Sequence, residues 1–346
     1  MDIDRSKIHS ILVIKLRAIG DVLLSSAVLK SLRGAFPGAR IDFLTEGPSR
    51  QVIEGNPDVD SPVIFEGGSG LGLILSVRRR NYDLVIDLFS NPRSALVTAA
   101  SGARYRAGYR FSWRRYCYNI PVEGRGGQVH NVQFNLDALR ALGISVGDTS
   151  VPFHTDRASE EHAERFFSTP DLSGRSCVAL NPGGGWYTKR WPPGSFALLA
   201  DLIAREFGAS IVIIWGPGER ESAQAIASLM SSRAHLIPES SLRELASILR
   251  RCRAVITNDT GPMHLAAAVG TSVLAIFGPT IPELQGPVGE GHAVIQNRRL
   301  VCLGCNLTAC PIGNPCMEKL SPGEVFAAFR ALVQKNQLFK HQRPLP

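Results

Sequence analysis

The stretch Ala254–Gly270 restricts the fold more than any other part of the chain. Ala254, Val255 and Ile256 are apolar and read as the end of a buried strand. Asn258, Asp259 and Thr260 are residue types that cap helices. Pro262 fits the first helical turn, where its missing N–H costs nothing. Small residues follow and let the helix lie close to a sheet. Strand, tight turn and helix N-terminus in this order direct backbone N–H groups and the positive end of the helix dipole at one spot. His264 falls in the first turns, within reach of the same ligand. The pattern predicts a phosphate site, and the diphosphate of a nucleotide-linked donor fits it.

The same plan recurs along the chain. Ile11–Leu16 is a short buried strand, followed by the turn Arg17–Asp21 and a helix over Val22–Arg33. Further strands are predicted at Ile41–Leu44, Val63–Phe65 and Asp83–Leu88, with helices at Leu71–Arg80 and from Ser94. In the second half, Ser176–Leu180 ends on Asn181-Pro-Gly-Gly-Gly185, and Ser210–Trp215 ends on Gly216-Pro-Gly218. Branched apolar strands alternating with helices indicate parallel sheets. The fold class is therefore α/β, with two Rossmann-like, doubly wound domains facing across a cleft. The polar stretch Asp148–Ser159 marks the boundary, giving domains over 1–155 and 156–346. In such folds ligands sit outside the carboxyl ends of the strands. The glycine-bearing turns all lie there.

Composition narrows the partners. The formal charge is +8 and arginine supplies most of it. An acidic ligand or surface is indicated: nucleotide, phosphorylated glycan, anionic membrane or nucleic acid. The apolar content of 44% supports substantial cores. Ile11–Ile14 is too short for a signal sequence, and no segment reaches the roughly 20 apolar residues of a membrane span. A cytoplasmic chain, at most peripheral to a membrane, is expected.

Several residues then suggest chemistry. Gly20-Asp21 sits at a strand-to-helix turn. Its carboxylate reads either as a helix cap or as a general base. Lys189, shortly after the triple glycine, is placed to neutralise a leaving diphosphate. The segment Arg104–Arg115 interleaves five arginines with aromatic rings, as an acidic ligand, a nucleic acid or plain solvent would each allow. Cys302, Cys305, Cys310 and Cys316 are dense enough for a small structural zinc site, with four reduced free thiols as the alternative.

Five blocks occur in one order: Ile14–Leu23, Leu180-Asn-Pro-Gly-Gly184, Lys189-Arg-Trp-Pro192, Asn258–His264 and Phe277–Thr280. In these the chain resembles glycosyltransferase family 9, the ADP-heptose:lipopolysaccharide heptosyltransferases. The match as a whole runs from about Ile11 to Phe329. The resemblance implies a GT-B fold, with the acceptor on the first domain and the nucleotide sugar on the second. It implies transfer of heptose from ADP-heptose to a lipopolysaccharide core precursor, with inversion in a single displacement. The resemblance also implies no catalytic cofactor, no nucleic-acid partner and peripheral contact with the inner membrane. Asp21 matches the catalytic base and Lys189 the diphosphate-steadying lysine. Asn181, Gly183, Gly184, Thr188, Gly216, Asp259, Thr260, Gly261, Pro262 and His264 form the expected donor side. Arg17, Gly20, Asp87, Asn91, Arg93, Arg106 and Arg110 form the expected acceptor side. Another nucleotide sugar passed to a surface glycan remains the alternative. An epimerase would need an acid and a base around one sugar, and only Asp21 is nominated. A non-catalytic anionic-glycan module would use the arginine stripe and leave Asp21 and Lys189 without a role.

Overall fold

The computed structural model describes residues 3–67 and 70–339; the polar end of the chain, 340–346, lies outside them. The chain divides into two compact units, Met1–His154 and Thr155–Pro346.

The first unit holds strands β1 (Ser10–Ile14), β2 (Arg40–Glu46), β3 (Ser61–Phe65), β4 (Leu84–Asp87), β5 (Tyr105–Tyr109) and β6 (Ile120–Val122). They form one sheet in the order β3-β2-β1-β4-β5-β6, parallel throughout. The second unit holds β7 (Cys177–Asn181), β8 (Ser210–Ile213), β9 (Ala234–Leu236), β10 (Ala254–Asn258), β11 (Ser272–Phe277) and β12 (Ala293–Gln296). Its parallel sheet runs β12-β11-β10-β7-β8-β9. Each unit is thus doubly wound, with the strand order reversing between its first and fourth strands. Helices cover both faces, so β4, β7 and β10 are buried at every residue. The ligand crevice of such a sheet lies at the reversal. In the first unit the Arg17–Asp21 and Asp87–Ser94 turns meet there. In the second, the turns after Asn181 and Asn258 do.

Two local departures from the sequence reading have physical causes. The helix expected over Val22–Arg33 starts earlier and is two helices, Ile19–Ser25 and Ala27–Ala35. Ser26 joins them, its hydroxyl bonded back to the carbonyl of Leu23. The basic, aromatic stretch from Arg104 is partly strand β5. Tyr105, Ala107 and Tyr109 are buried there while Arg106 is half-buried. Gly108 is buried as well, so Arg106 is the one half-buried residue of the strand, and the charges around it mask the strand in the sequence.

Gly108 in β5 has a clear reason to be glycine. A Cβ there would lie 2.4 Å from Cε1 of Tyr118. That ring is fixed, because the Tyr118 hydroxyl donates to the buried Asp87 carboxylate at 2.8 Å. Gly108→Ala is expected to cost about 2 kcal/mol and to lower the melting temperature of the first unit by about 5 °C. Circular dichroism would follow it. A shift below about 1 °C would show that Tyr118 moves aside freely.

Candidate active site

In the second unit, two asparagines end neighbouring strands and lace the two turns together. Asn181 closes β7, and its amide donates to the hydroxyls of Thr257 (2.8 Å) and Thr260 (2.7 Å). Asn258 closes β10, and its amide donates to the carbonyls of Pro182 (2.9 Å) and Gly183 (3.0 Å). Its own oxygen accepts from the backbone N–H of Trp191 at 3.2 Å. These bonds set the Gly183–Gly185 turn beside the start of the helix Gly261–Ala268, which Pro262 opens and no side chain caps. Uncapped N–H groups in the first turn are anion donors. Thr260 is the residue before that helix, and His264 is buried within it.

A polar chain leads to the same place. Asp259 is buried and accepts from the Thr280 hydroxyl at 2.7 Å. The same carboxylate oxygen pairs with Lys189 Nζ at 2.7 Å. The ammonium also lies 4.6 Å from the centre of the Trp186 ring. Lys189 is therefore held by two groups, the Asp259 carboxylate and the Trp186 ring. Removing Asp259 would leave a largely buried cation unpaired, a loss of about 3–5 kcal/mol where such pairs have been broken. Asp259, expected to touch the donor, instead positions the lysine.

The remaining donor-side residues divide. Gly183 and Gly216 approach Glu219 closely: a Cβ on Gly183 would lie 2.6 Å from its carboxylate oxygens. Gly184 N–H (3.3 Å) and Gly216 N–H (3.0 Å) donate to that carboxylate, which bridges the turns after β7 and β8. Sequence reasoning missed Glu219. Its signal was position, three residues after the turn glycine at the end of a strand. Glu219 edges a cavity of about 400 Å³ whose walls include Tyr187, Trp191, Trp215 and Ile226. Flat apolar walls beside a carboxylate suit a planar base linked to a diol. Thr188, by contrast, is buried, and its hydroxyl donates to the carbonyl of Leu307 at 2.7 Å. It ties down the cysteine-bearing loop.

That loop does not form the expected zinc site. Among the described residues no three His, Cys, Asp or Glu side chains converge as metal ligands would. Cys316 is buried, Cys302 and Cys310 are half-buried and Cys305 is exposed, all as free thiols. Two backbone-directed bonds hold the loop instead, Thr188 to Leu307 and Asn306 N–H to the carbonyl of Pro279 (2.7 Å). Cys316 packs under Gly278, where a Cβ would lie 2.9 Å from its sulfur. The cysteine density came from one core residue and three surface ones.

In the first unit, Asp21 lies in the first turn of the helix Ile19–Ser25 and is exposed. Its carboxylate accepts one long bond, from Ala18 N–H at 3.3 Å. Lys15, which sequence reasoning passed over, is buried just beyond β1. Its ammonium donates to the carbonyl of Leu88 at 3.2 Å and lies 5.5 Å from the centre of the Phe89 ring. Burial pushes its pKa down, while Asp21 and Asp87 pull the other way.

The expected acceptor residues do not act as one group. Asp87 is fully buried and accepts from Phe89 N–H (3.0 Å), Ser90 N–H (2.8 Å) and Tyr118. Burial pushes its pKa up. It shapes the turn. Asn91 caps the helix Pro92–Ala100 by accepting from Ser94 N–H at 2.8 Å. Arg106 donates to the carbonyls of Ala103 (2.7 Å) and Cys117 (3.2 Å) and so serves the loop. Arg110 makes an exposed pair with Glu123 at 2.7 Å. Gly20 is half-buried in the turn of the Asp21 helix. Arg17 and Arg93 alone share a cavity, of about 530 Å³, with Glu46, Glu66 and Phe65.

The family model for glycosyltransferase family 9 (heptosyltransferase) matches residues 71–314. The chain belongs to this family. It is an enzyme that transfers a sugar from a nucleotide donor, and its two doubly wound units are those of the GT-B fold. It is 25% identical over 308 residues to lipopolysaccharide heptosyltransferase 2 of Salmonella typhimurium, covering 83% of this chain and 87% of that one. The solved glycosyltransferase of family 9 from Veillonella parvula superposes with a TM-score of 0.84 at 25% identity, covering 94% and 97% of the two chains. The E. coli heptosyltransferase WaaC, solved with ADP, gives 0.72 at 24% identity, covering 94% and 99%.

The thiols of the loop offer a direct check on its structure. Burial raises the Cys316 pKa to about 11. In the native family 9 chain at pH 8, iodoacetamide followed by peptide mass spectrometry should modify Cys305 first and leave Cys316 protected, because the thiolate is the reactive form. Equal rates at the two positions would contradict the packing described.

Proposed function

We propose that this chain moves heptose from ADP-heptose to an acceptor sugar of the lipopolysaccharide inner core, with inversion. The observation that carries the reading is the Lys189–Asp259–Thr280 chain at the uncapped N-terminus of the helix Gly261–Ala268. Both halves of that arrangement suit a diphosphate. The names of the relatives supply heptose and lipopolysaccharide.

In this reading the acceptor hydroxyl attacks the anomeric carbon of the donor. A new C–O bond forms as the bond from that carbon to the β-phosphate oxygen breaks. The electron pair leaves with ADP, and charge grows on its phosphate. Lys189 and the helix N–H groups meet that charge, where such donors lower a barrier most. Asp21 takes the proton of the attacking hydroxyl. It accepts the proton late, as the oxygen bonds to carbon. The cavity by Trp191 and Trp215 takes the adenine, and Glu219 accepts from the ribose hydroxyls. Arg17 and Arg93 bind an acidic group of the acceptor. No cofactor enters these steps. Among the described residues no helix is long and apolar enough to cross a membrane. The acceptor is lipid-linked and is met at the inner face of the cytoplasmic membrane, from the cytoplasm.

Incubation with ADP-heptose and a deacylated core acceptor should release ADP. A panel of other nucleotide sugars should release little, and a preferred donor among them would replace heptose in this account. Two variants separate the roles. Asp21→Asn should keep ADP affinity and lower turnover by about a hundredfold or more. Lys189→Ala should weaken ADP by about tenfold or more, as loss of a charge-assisted bond does, and the difference should shrink in high salt. Wild-type turnover in the first, or unchanged calorimetric ADP binding in the second, would refute the corresponding assignment.

A further inference from the structure

Lysine is almost never fully buried unless an opposite charge is buried with it. Among the described residues two lysines lie mostly inside the protein. Lys189, with a side chain 15% exposed, has the Asp259 carboxylate at 2.7 Å. Lys15 is buried more deeply, at 9% exposed. Among the described residues it forms no ion pair.

The sheet explains where Lys15 sits. It is the first residue beyond β1, and its backbone N–H donates to the carbonyl of Leu44 at 3.1 Å, continuing the pairing with β2. Its ammonium reaches the other neighbour, to the carbonyl of Leu88 and the face of Phe89, both just beyond β4. The cation therefore stands at the reversal of strand order, where a doubly wound sheet binds its ligand. An ammonium has three N–H donors, and one protein carbonyl takes one of them.

Two carboxylates face it, Asp21 from the helix that follows and Asp87 from the end of β4. Neither neutralises it by contact. Asp87 spends its oxygens on Phe89 N–H, Ser90 N–H and the Tyr118 hydroxyl. Asp21 is exposed and accepts from Ala18 N–H. A desolvated cation without a contact anion costs stability. Groups held at such a cost gather at functional sites, where a ligand offsets it.

We infer that Lys15 binds an anionic oxygen of the acceptor, beside the hydroxyl that Asp21 deprotonates. The chemistry is that of a carboxylate or a phosphate ester. The inference rests on the proposed transfer, which makes Asp21 the base and the first unit the acceptor side.

Calorimetry with a deacylated core acceptor, in the absence of donor, reads the contact. Lys15→Met should weaken acceptor binding by about tenfold or more, as loss of a charge-assisted bond does. It should leave ADP affinity unchanged. It should also keep or raise the melting temperature, because it removes a buried charge that has no contact anion. A lysine that only held the Leu88 turn would lower the melting temperature in this variant and leave acceptor affinity alone. Two treated acceptors identify the oxygen, one with its carboxyls methyl-esterified and one stripped of phosphate. The treatment that weakens binding to wild type and not to Lys15→Met has removed the group that Lys15 holds.

A pH series gives a second readout, which stands even if Lys15→Met does not fold. Burial pushes the Lys15 pKa down, and the anion binds the charged form. Affinity should therefore be full at about pH 7 and fall toward about pH 10, still below the ordinary lysine value. Lys15→Arg stays charged and should lose less over that range. Equal acceptor affinity in wild type and folded Lys15→Met would overturn the inference. So would the same pH dependence in wild type and Lys15→Arg, or binding that neither treatment of the acceptor weakens. ADP release reads the transfer separately. Release with neutral acceptors alone would overturn the role of Lys15 and spare the transfer. Acceptor binding through Lys15 without ADP release would do the reverse.

Discussion

A parallel strand buried on both faces holds polar side chains mostly near its ends. Everything chemical in this molecule follows from that constraint. The inner strands β1, β4, β7 and β10 are apolar through most of their lengths and turn polar where they leave the sheet, at Lys15, Asp87, Asn181 and Asn258. The reversal of strand order in each sheet brings two such ends side by side. Neighbouring helices cannot fill the space between them, because they diverge to opposite faces. The chain spends its buried polar residues on shaping those two places.

The second unit shows how rigid the result is. Asn181 and Asn258 bond across the gap, each to the turn of the other strand. Asp259 and Thr280 fix the lysine, and Glu219 fixes the glycine turns. Each buried polar group in this cluster has a partner, which such a network must have to be stable. Preorganised charge of this kind needs no rearrangement when a leaving group becomes negative.

Much of this was legible in the sequence. Continuous apolar runs ending on Asn, Gly or Asp gave the inner strands and their turns, because burial on both faces erases alternation. The helix start at Gly261 was legible from its cap types and from Pro262. What stayed hidden depends on partners distant in the chain. Asp87 reads as a ligand residue until Tyr118 and two backbone N–H groups are seen around it. Arg106 reads as surface charge until its bonds to two carbonyls are counted. Glu219 is unremarkable as a residue and becomes meaningful only beside Gly184 and Gly216. The cysteine spacing suggested a metal, yet spacing does not say which sulfurs turn into the core. Cys316 does.

The central claim is that the start of the helix Gly261–Ala268 and Lys189 together hold the leaving diphosphate. A crystal structure of the chain with ADP tests it most directly. The account predicts the β-phosphate within about 3 Å of Lys189 Nζ and of a backbone N–H in the first turn of that helix, at charge-assisted hydrogen-bond distance. A well-ordered ADP with its phosphates in solvent, or bound away from Lys189, would contradict it.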